Sequence, residues 1–181
     1  MKSLHRCGFL KITALLVMLA YGMGAYAQQS SNPAKDFLKI TLKGYLVVQS
    51  LDAQGRPIET FQELPDLVPP GSLIQYEITA FNSSKGCPCT DTLKSLALLG
   101  NIPEGTIYVA QSATQGYEVS FSIDKGAHFL PWPVMYTVRL SDGSEVQKVA
   151  TPDMITQIRW IIDLLAPQKS ITVHYRVQVP K

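Results

Sequence analysis

Ile171-Thr172-Val173-His174-Tyr175-Arg176-Val177-Gln178-Val179 alternates apolar and polar side chains over its whole length. A period of two puts successive side chains on opposite faces of an extended chain, so this segment reads as a strand with one face on a core. The same alternation runs through Ile74, Tyr76, Ile78 and Ala80, separated by Gln75, Glu77 and Thr79. It recurs in Ile158, Trp160, Ile162 and Leu164, which places Trp160 in the core. Further strands are expected near 38–49, 58–64, 93–99, 106–112, 117–123, 134–140 and 144–149. Turn-forming clusters separate them: Gln54-Gly55-Arg56-Pro57, Pro69-Pro70-Gly71, Pro103-Glu104-Gly105, Asp124-Lys125-Gly126 and Ser141-Asp142-Gly143. Thr92 to Leu99 also fits a short helix, and no stretch after the amino terminus keeps a long 3.6-residue period. Many short strands with frequent turns predict an all-β sandwich or barrel.

The amino terminus has a different character. Lys2, Arg6 and Lys11 precede and edge an apolar run from Ile12 to Ala20, and Ala25-Tyr26-Ala27 sets small residues before Gln28. A basic start, a short apolar run and an Ala-x-Ala site are the parts of a secretory signal peptide, expected over residues 1–27. The run is shorter than the roughly 20 residues a membrane span needs, so no stable span is expected after cleavage. Residues 28–36 are polar and read as a flexible leader, leaving 37–181 as one domain. Without residues 1–27 the chain keeps 154 of its 181 residues, and 13 basic side chains face 14 acidic ones. The overall +2 therefore belongs to the signal, and no basic run offers a nucleic-acid footprint.

Three motifs in order carry a resemblance. Pro69-Pro70-Gly71-Ser72-Leu73-Ile74-Gln75-Tyr76-Glu77-Ile78-Thr79-Ala80-Phe81-Asn82 is a Pro-Gly opening followed by a Tyr-centred strand ending in Asn. Ile102-Pro103-Glu104-Gly105-Thr106 is a hydrophobic-Pro-Glu-Gly turn, and Ile158-Arg159-Trp160, Leu165-Ala166-Pro167 and Ser170-Ile171-Thr172-Val173 form a Trp strand, a turn and a last strand. Over about 40–179 this resembles the bacterial domain of unknown function eleven, the conserved-repeat domain. The resemblance implies an immunoglobulin-like β-sandwich on a secreted or cell-surface bacterial protein, and it implies no functional residue. The chain departs from the family in having Gln168 where Gly is usual and no Asp directly before Ile102-Pro103.

Few residues invite chemistry. Cys87-Pro88-Cys89 follows a polar stretch and belongs on an exposed loop. In an oxidising compartment a local disulfide between Cys87 and Cys89 is the favoured reading, strained because Pro88 extends Cys87. A bond to a partner, a thiol redox or metal-handling role, and unpaired thiols are the alternatives. Two thiolates alone cannot close a zinc site. Ser122, Asp124 and Gly126 with Phe129 fit a Ser-x-Asp-x-Gly-x-x-aromatic turn, in which Asp124 bonds turn amides and Gly126 goes left-handed. Phe129, Trp132 and Tyr136, with Tyr117 farther off, flank Leu130-Pro131-Trp132-Pro133 and form a candidate stacking site for a sugar or an anchor for a peptide. The favoured reading puts Trp132 at one end of the sandwich as a lid. His174 is expected on the solvated face of the last strand and His128 beside a turn. No Gly-x-Ser-x-Gly elbow, phosphate loop, dinucleotide fingerprint or His-Glu-x-x-His occurs, and no spacing singles out a carboxylate pair. Asn82-Ser83-Ser84 matches a glycosylation triplet.

The expectation is an exported, non-enzymatic module of periplasm, cell surface or medium, without a cofactor or metal, touching an envelope or surface component not identifiable from sequence. A carbohydrate- or peptide-binding domain using the Trp132 region is the second reading, and thiol or metal chemistry at Cys87 and Cys89 the third.

Overall fold

A computed structural model describes residues 37–181, all of them within one compact unit; the side chain of Cys89 is not among those described. The signal peptide over 1–27 and the leader over 28–36 lie outside the described residues. The elements are β1 (Leu38–Leu51), β2 (Pro57–Glu63), β3 (Leu73–Asn82), one helical turn α1 (Pro88–Asp91), β4 (Leu93–Asn101), β5 (Ile107–Tyr108), β6 (Glu118–Ser122), β7 (Met135–Arg139), β8 (Glu145–Val149), a 3-10 turn (Pro152–Met154), β9 (Gln157–Leu165) and β10 (Ser170–Gln178). The fold is all-β. A five-stranded sheet in the order β2-β1-β3-β10-β5 faces a three-stranded sheet β4-β9-β6 in a sandwich-like arrangement, and β7 and β8 form a separate ribbon. Every strand pairing is antiparallel.

Most of the alternation read from the sequence becomes the core; in β9 it breaks at the end, where Leu165 is buried and Leu164 is 60% exposed. Ile74, Ile78 and Ala80 of β3 and Val173, Tyr175 and Val177 of β10 point inward, to meet Leu98 of β4, Phe121 of β6 and Ile158, Trp160 and Ile162 of β9. Trp160 is fully buried, and its indole N–H donates to the Thr114 carbonyl at 3.1 Å. Tyr175 stacks on Tyr76 at 5.5 Å and donates its hydroxyl to the Asn101 carbonyl at 2.6 Å, which joins the two sheets. Gly100 passes so close to the Tyr175 and Trp160 rings that a Cβ there would lie 2.7 Å from Tyr175 Cε1. The ambiguous segment after Thr92 is a strand. It pairs with β9 along its length, and Ser95, at a left-handed φ of 51°, turns the chain so that Leu93 before it and Leu98 after it are both buried.

Asn82 ties β3 to the opposite sheet. It has no exposed surface. Its side-chain Nδ2 donates to the carbonyls of Asp91 (2.7 Å) and Leu165 (2.9 Å), and its Oδ1 accepts the Ser84 amide (3.1 Å). Its backbone holds the β9–β10 turn, donating to Lys169 and accepting from Gln168. In the folded domain the amide nitrogen of the Asn82 triplet is enclosed and engaged, so Asn82 serves as a structural knot.

The structure departs from the sequence reading in two places. The strand expected over 106–112 ends at Tyr108. Beyond it the chain bulges away from β10: Gln111 adopts a left-handed φ of 63°, and the Ser112 hydroxyl, not a backbone carbonyl, accepts the Arg176 amide at 2.9 Å. A side chain has replaced the ladder, so this sheet edge is irregular. Secondly, Ile40 and Leu42 share the inward face of β1 with Ala80 and Ile78 yet are 56% and 59% exposed. Three strands are too few to roof five.

Candidate functional site

A cleft of about 600 Å³ opens beside the bulged edge. Its depth is lined by Tyr108 and Phe121, both buried, and by Val119. Trp132 and Pro131 form one wall. Tyr117, Gln111 and Gln115, all exposed, stand at the mouth. Each comes from a definable local cause. Tyr108 is the last ladder residue before the bulge, and Gln111 and Gln115 are carried by the bulge. Phe121 and Val119 lie on β6, held by β9 on one side and by an isolated bridge to Leu130 on the other. That bridge positions the segment that delivers Pro131 and Trp132. Val134, two residues on, is buried and accepts the Ala150 amide at 2.8 Å, anchoring the same segment from beyond.

The indole of Trp132 is braced by two buried rings. It packs at 69° to Tyr108 (centroids 6.4 Å) and at 68° to Phe121 (5.5 Å), edge-to-face arrangements that aromatic rings favour. Trp132 is half-buried, so it both closes this end of the sandwich and presents surface to the cleft. Burial pushes the Tyr108 phenol above its ordinary pKa, so it stays protonated, and its oxygen accepts the Ala113 amide at 3.4 Å. The Gln115 amide nitrogen donates to the Ala113 carbonyl at 2.8 Å. No residue lining the cleft carries a charge. Its chemistry is therefore aromatic stacking plus neutral hydrogen bonding.

The structure divides the four aromatics grouped by sequence. Trp132 and Tyr117 line the cleft, whereas Phe129 and Tyr136 do not. Phe129 lies under the Arg159 guanidinium, 4.4 Å from its ring centre, a cation–π contact on the opposite side of β9 from Trp160. Tyr136 belongs to the ribbon, paired with Lys148, and packs against the core margin. Residue proximity along the chain suggested them; alternation and the turn after Phe121 took them elsewhere. Tyr108, Gln111 and Gln115 carry no mark in the sequence, because the bulge that brings them in has no signature beyond a strand-like run.

Ser122, Asp124 and Gly126 form a closed turn. The Ser122 hydroxyl donates to Asp124 Oδ1 (2.7 Å) and accepts the Gly126 amide (2.8 Å). Asp124 Oδ1 also accepts the His128 amide (2.9 Å), and its Oδ2 meets the His128 ring Nδ1 at 2.6 Å. Gly126 sits at φ 90°. The His128 amide, the Ser122 hydroxyl and the His128 ring hold the Asp124 carboxyl well below the usual carboxylate range. These bonds consume the polar groups of the turn. His174 is half-buried rather than solvated, because the bulge lays Thr114 against it: Thr114 Oγ1 lies 3.0 Å from its Nδ1.

Cys87 is exposed and caps α1, its carbonyl accepting the amides of Thr90 and Asp91 at 3.0 Å each. The disulfide expected with Cys89 lies outside the described side chains. Among the described residues, no group of three or more His, Cys, Asp or Glu could hold a metal ion, and no helix is long and apolar enough to cross a membrane. No protein-family model, no curated protein and no solved structure matches the chain.

Proposed function

We propose that this chain is an exported, non-enzymatic interaction module of the conserved-repeat, immunoglobulin-like kind, working at the envelope or in the medium, and that it makes contact through the Trp132 cleft. The observation that carries the reading is the half-buried indole, braced by two buried rings, in an uncharged cleft. A half-exposed Trp held in place by two buried rings has lost its freedom before any ligand arrives, which lowers the entropic cost of binding. The motif residues behind the resemblance do structural work. Tyr76 stacks on Tyr175, Asn82 knots the sheets, and Gln168 takes a φ of 58°, the conformation a glycine would adopt most easily. Such residues explain a shared scaffold without a shared activity. The signal-like amino terminus supports export.

Co-sedimentation of the purified protein with isolated cell envelopes tests the proposal. Saturable binding, lost in Trp132→Ala while the circular dichroism spectrum stays native, is expected. Envelope binding that is the same for wild type and a folded Trp132→Ala protein would remove the cleft from the account.

A further inference from the structure

We propose that the cleft takes a neutral saccharide, a reading that rests on the interaction function above. An anionic ligand, whether a uronic acid, a phosphate or an acidic peptide, needs a cationic partner to offset its desolvation, and the lining has no Lys or Arg. A quaternary ammonium ligand would find aromatic faces, but two of the rings, Tyr108 and Phe121, are buried and pressed against each other at 5.5 Å, and no carboxylate lines the space. A pyranose presents an apolar C–H face and a rim of neutral hydroxyls. The C–H face matches Trp132 on one wall and Tyr117 at the mouth. The hydroxyl rim matches the two side-chain amides, Gln111 and Gln115, each able to donate and accept. Gln115 is already steadied through Ala113, so its Oε1 is the acceptor for a sugar hydroxyl. The volume of about 600 Å³ lies within the range of small-ligand sites and admits a short oligosaccharide. The mouth is open to one side, where Tyr117 is 36% exposed, which suits a chain end or a loop of polymer rather than an enclosed monomer.

The test is titration of the purified full chain with cellohexaose, maltohexaose, mannohexaose and N-acetylchitohexaose, alongside a polyproline peptide, choline chloride and an oligogalacturonate, read by calorimetry and tryptophan emission. Trp160 is enclosed in the core, so a change in emission on binding reports Trp132. At least one neutral hexasaccharide is expected to bind, and Tyr117→Ala, at an exposed position that leaves the urea midpoint unchanged, is expected to weaken it at least about tenfold. Trp132→Phe is expected to keep the fold and weaken the same sugar by a comparable factor. Binding of polyproline or choline in a Tyr117-dependent manner, with no neutral sugar bound, overturns the saccharide and leaves the cleft as the contact site. Preference for the oligogalacturonate over every neutral sugar overturns it likewise. Sugar binding indifferent to Tyr117→Ala and Trp132→Phe overturns the site. Absence of any of these ligands, together with envelope binding unaffected by the same variants, overturns both this inference and the function it rests on.

Discussion

Replacing Asn82 by Ala should be among the most damaging single changes to this domain, although it deletes only a small polar group. The side chain makes three hydrogen bonds and is fully enclosed. Its removal strands the Leu165 carbonyl and the Ser84 amide in the interior and the Asp91 carbonyl at its margin. A buried group left unsatisfied costs about 1–3 kcal/mol, and a partly wetted one about 1, so the total is about 4 kcal/mol. Domains of this kind have roughly 5–15 kcal/mol in hand, so the loss is a large share. With a urea slope of about 2 kcal/mol/M the unfolding midpoint should fall by about 2 M. Equilibrium urea unfolding, followed by far-UV circular dichroism and tryptophan emission together, measures it. Asn82→Asp should be no better than the alanine: it keeps the acceptor for Ser84 but turns a carboxylate oxygen toward two carbonyls. Ser84→Ala serves as the control. Its hydroxyl is buried without a hydrogen-bond partner, so its loss should leave stability unchanged or raise it by up to about 1 kcal/mol. A midpoint shift below about 0.5 M for Asn82→Ala, at unchanged slope, would refute the view that Asn82 holds the sheets together.

Other outcomes follow from single features. Gly100→Ala sets a Cβ against the Tyr175 and Trp160 rings, 2.7 and 3.2 Å away, and should lower stability by about 1–3 kcal/mol with a visible change in near-UV circular dichroism. Gln168 gives the carbonyls of Ser83 and Ser84 hydrogen bonds at 3.0 and 2.6 Å while sitting at a left-handed φ. Gln168→Ala and Gln168→Gly lose the same bonds, but only glycine relieves the backbone, so the glycine variant should be more stable than the alanine by about 1 kcal/mol in thermal melts. The Asp124 carboxyl is held below its ordinary value, so its ionised form belongs to the folded state. The stability it confers is present above the ordinary carboxylate pKa and drains away only as pH falls through the lowered one. Its side-chain NMR resonance should not have titrated by about pH 3, and Asp124→Asn should flatten the acid limb of the stability profile. A resonance that titrates at the ordinary carboxylate value would contradict the hydrogen bonding described for that turn.

Strands with one strictly buried face were legible residue by residue. In β3 and β10 the apolar positions of the sequence are the inward positions of the sheet, because burial on one face leaves no other pattern available. Legibility failed where a side chain substitutes for backbone. Thr106 to Ser112 has the composition of a strand, but the Ser112 hydroxyl takes the ladder's place and Gln111 turns the chain aside. That local event creates the mouth of the cleft, so the candidate site is half visible in the sequence: Trp132 by its unusual Pro-flanked setting and Tyr117 among the nearby aromatics, Tyr108, Gln111 and Gln115 not at all. The exposure of Ile40 and Leu42 was hidden for a different reason, since it depends on the width of the facing sheet and not on anything in β1.

The placement of β3 between β1 and β10 has a mechanical consequence. Both neighbours run antiparallel to β3, so Leu38 at the start of β1 lies beside Asn82, while Gln178 at the end of β10 lies beside Leu73, at the opposite tip of the same strand. Tension applied between Leu38 and Gln178 pulls β1 one way and β10 the other, with β3 passing the force between them. Ladder hydrogen bonds lie across the strands, so this tension runs at right angles to them and strains ten residue pairs on one side and nine on the other at once. Nothing can unzip pair by pair until a whole ladder slips. Force from the side, as on β2 at the sheet's edge, meets one pair at a time. A protein fastened at one end of this strand trio and drawn from the other would hold like a glued lap joint, and yield like a peeled one when the pull comes from the flank.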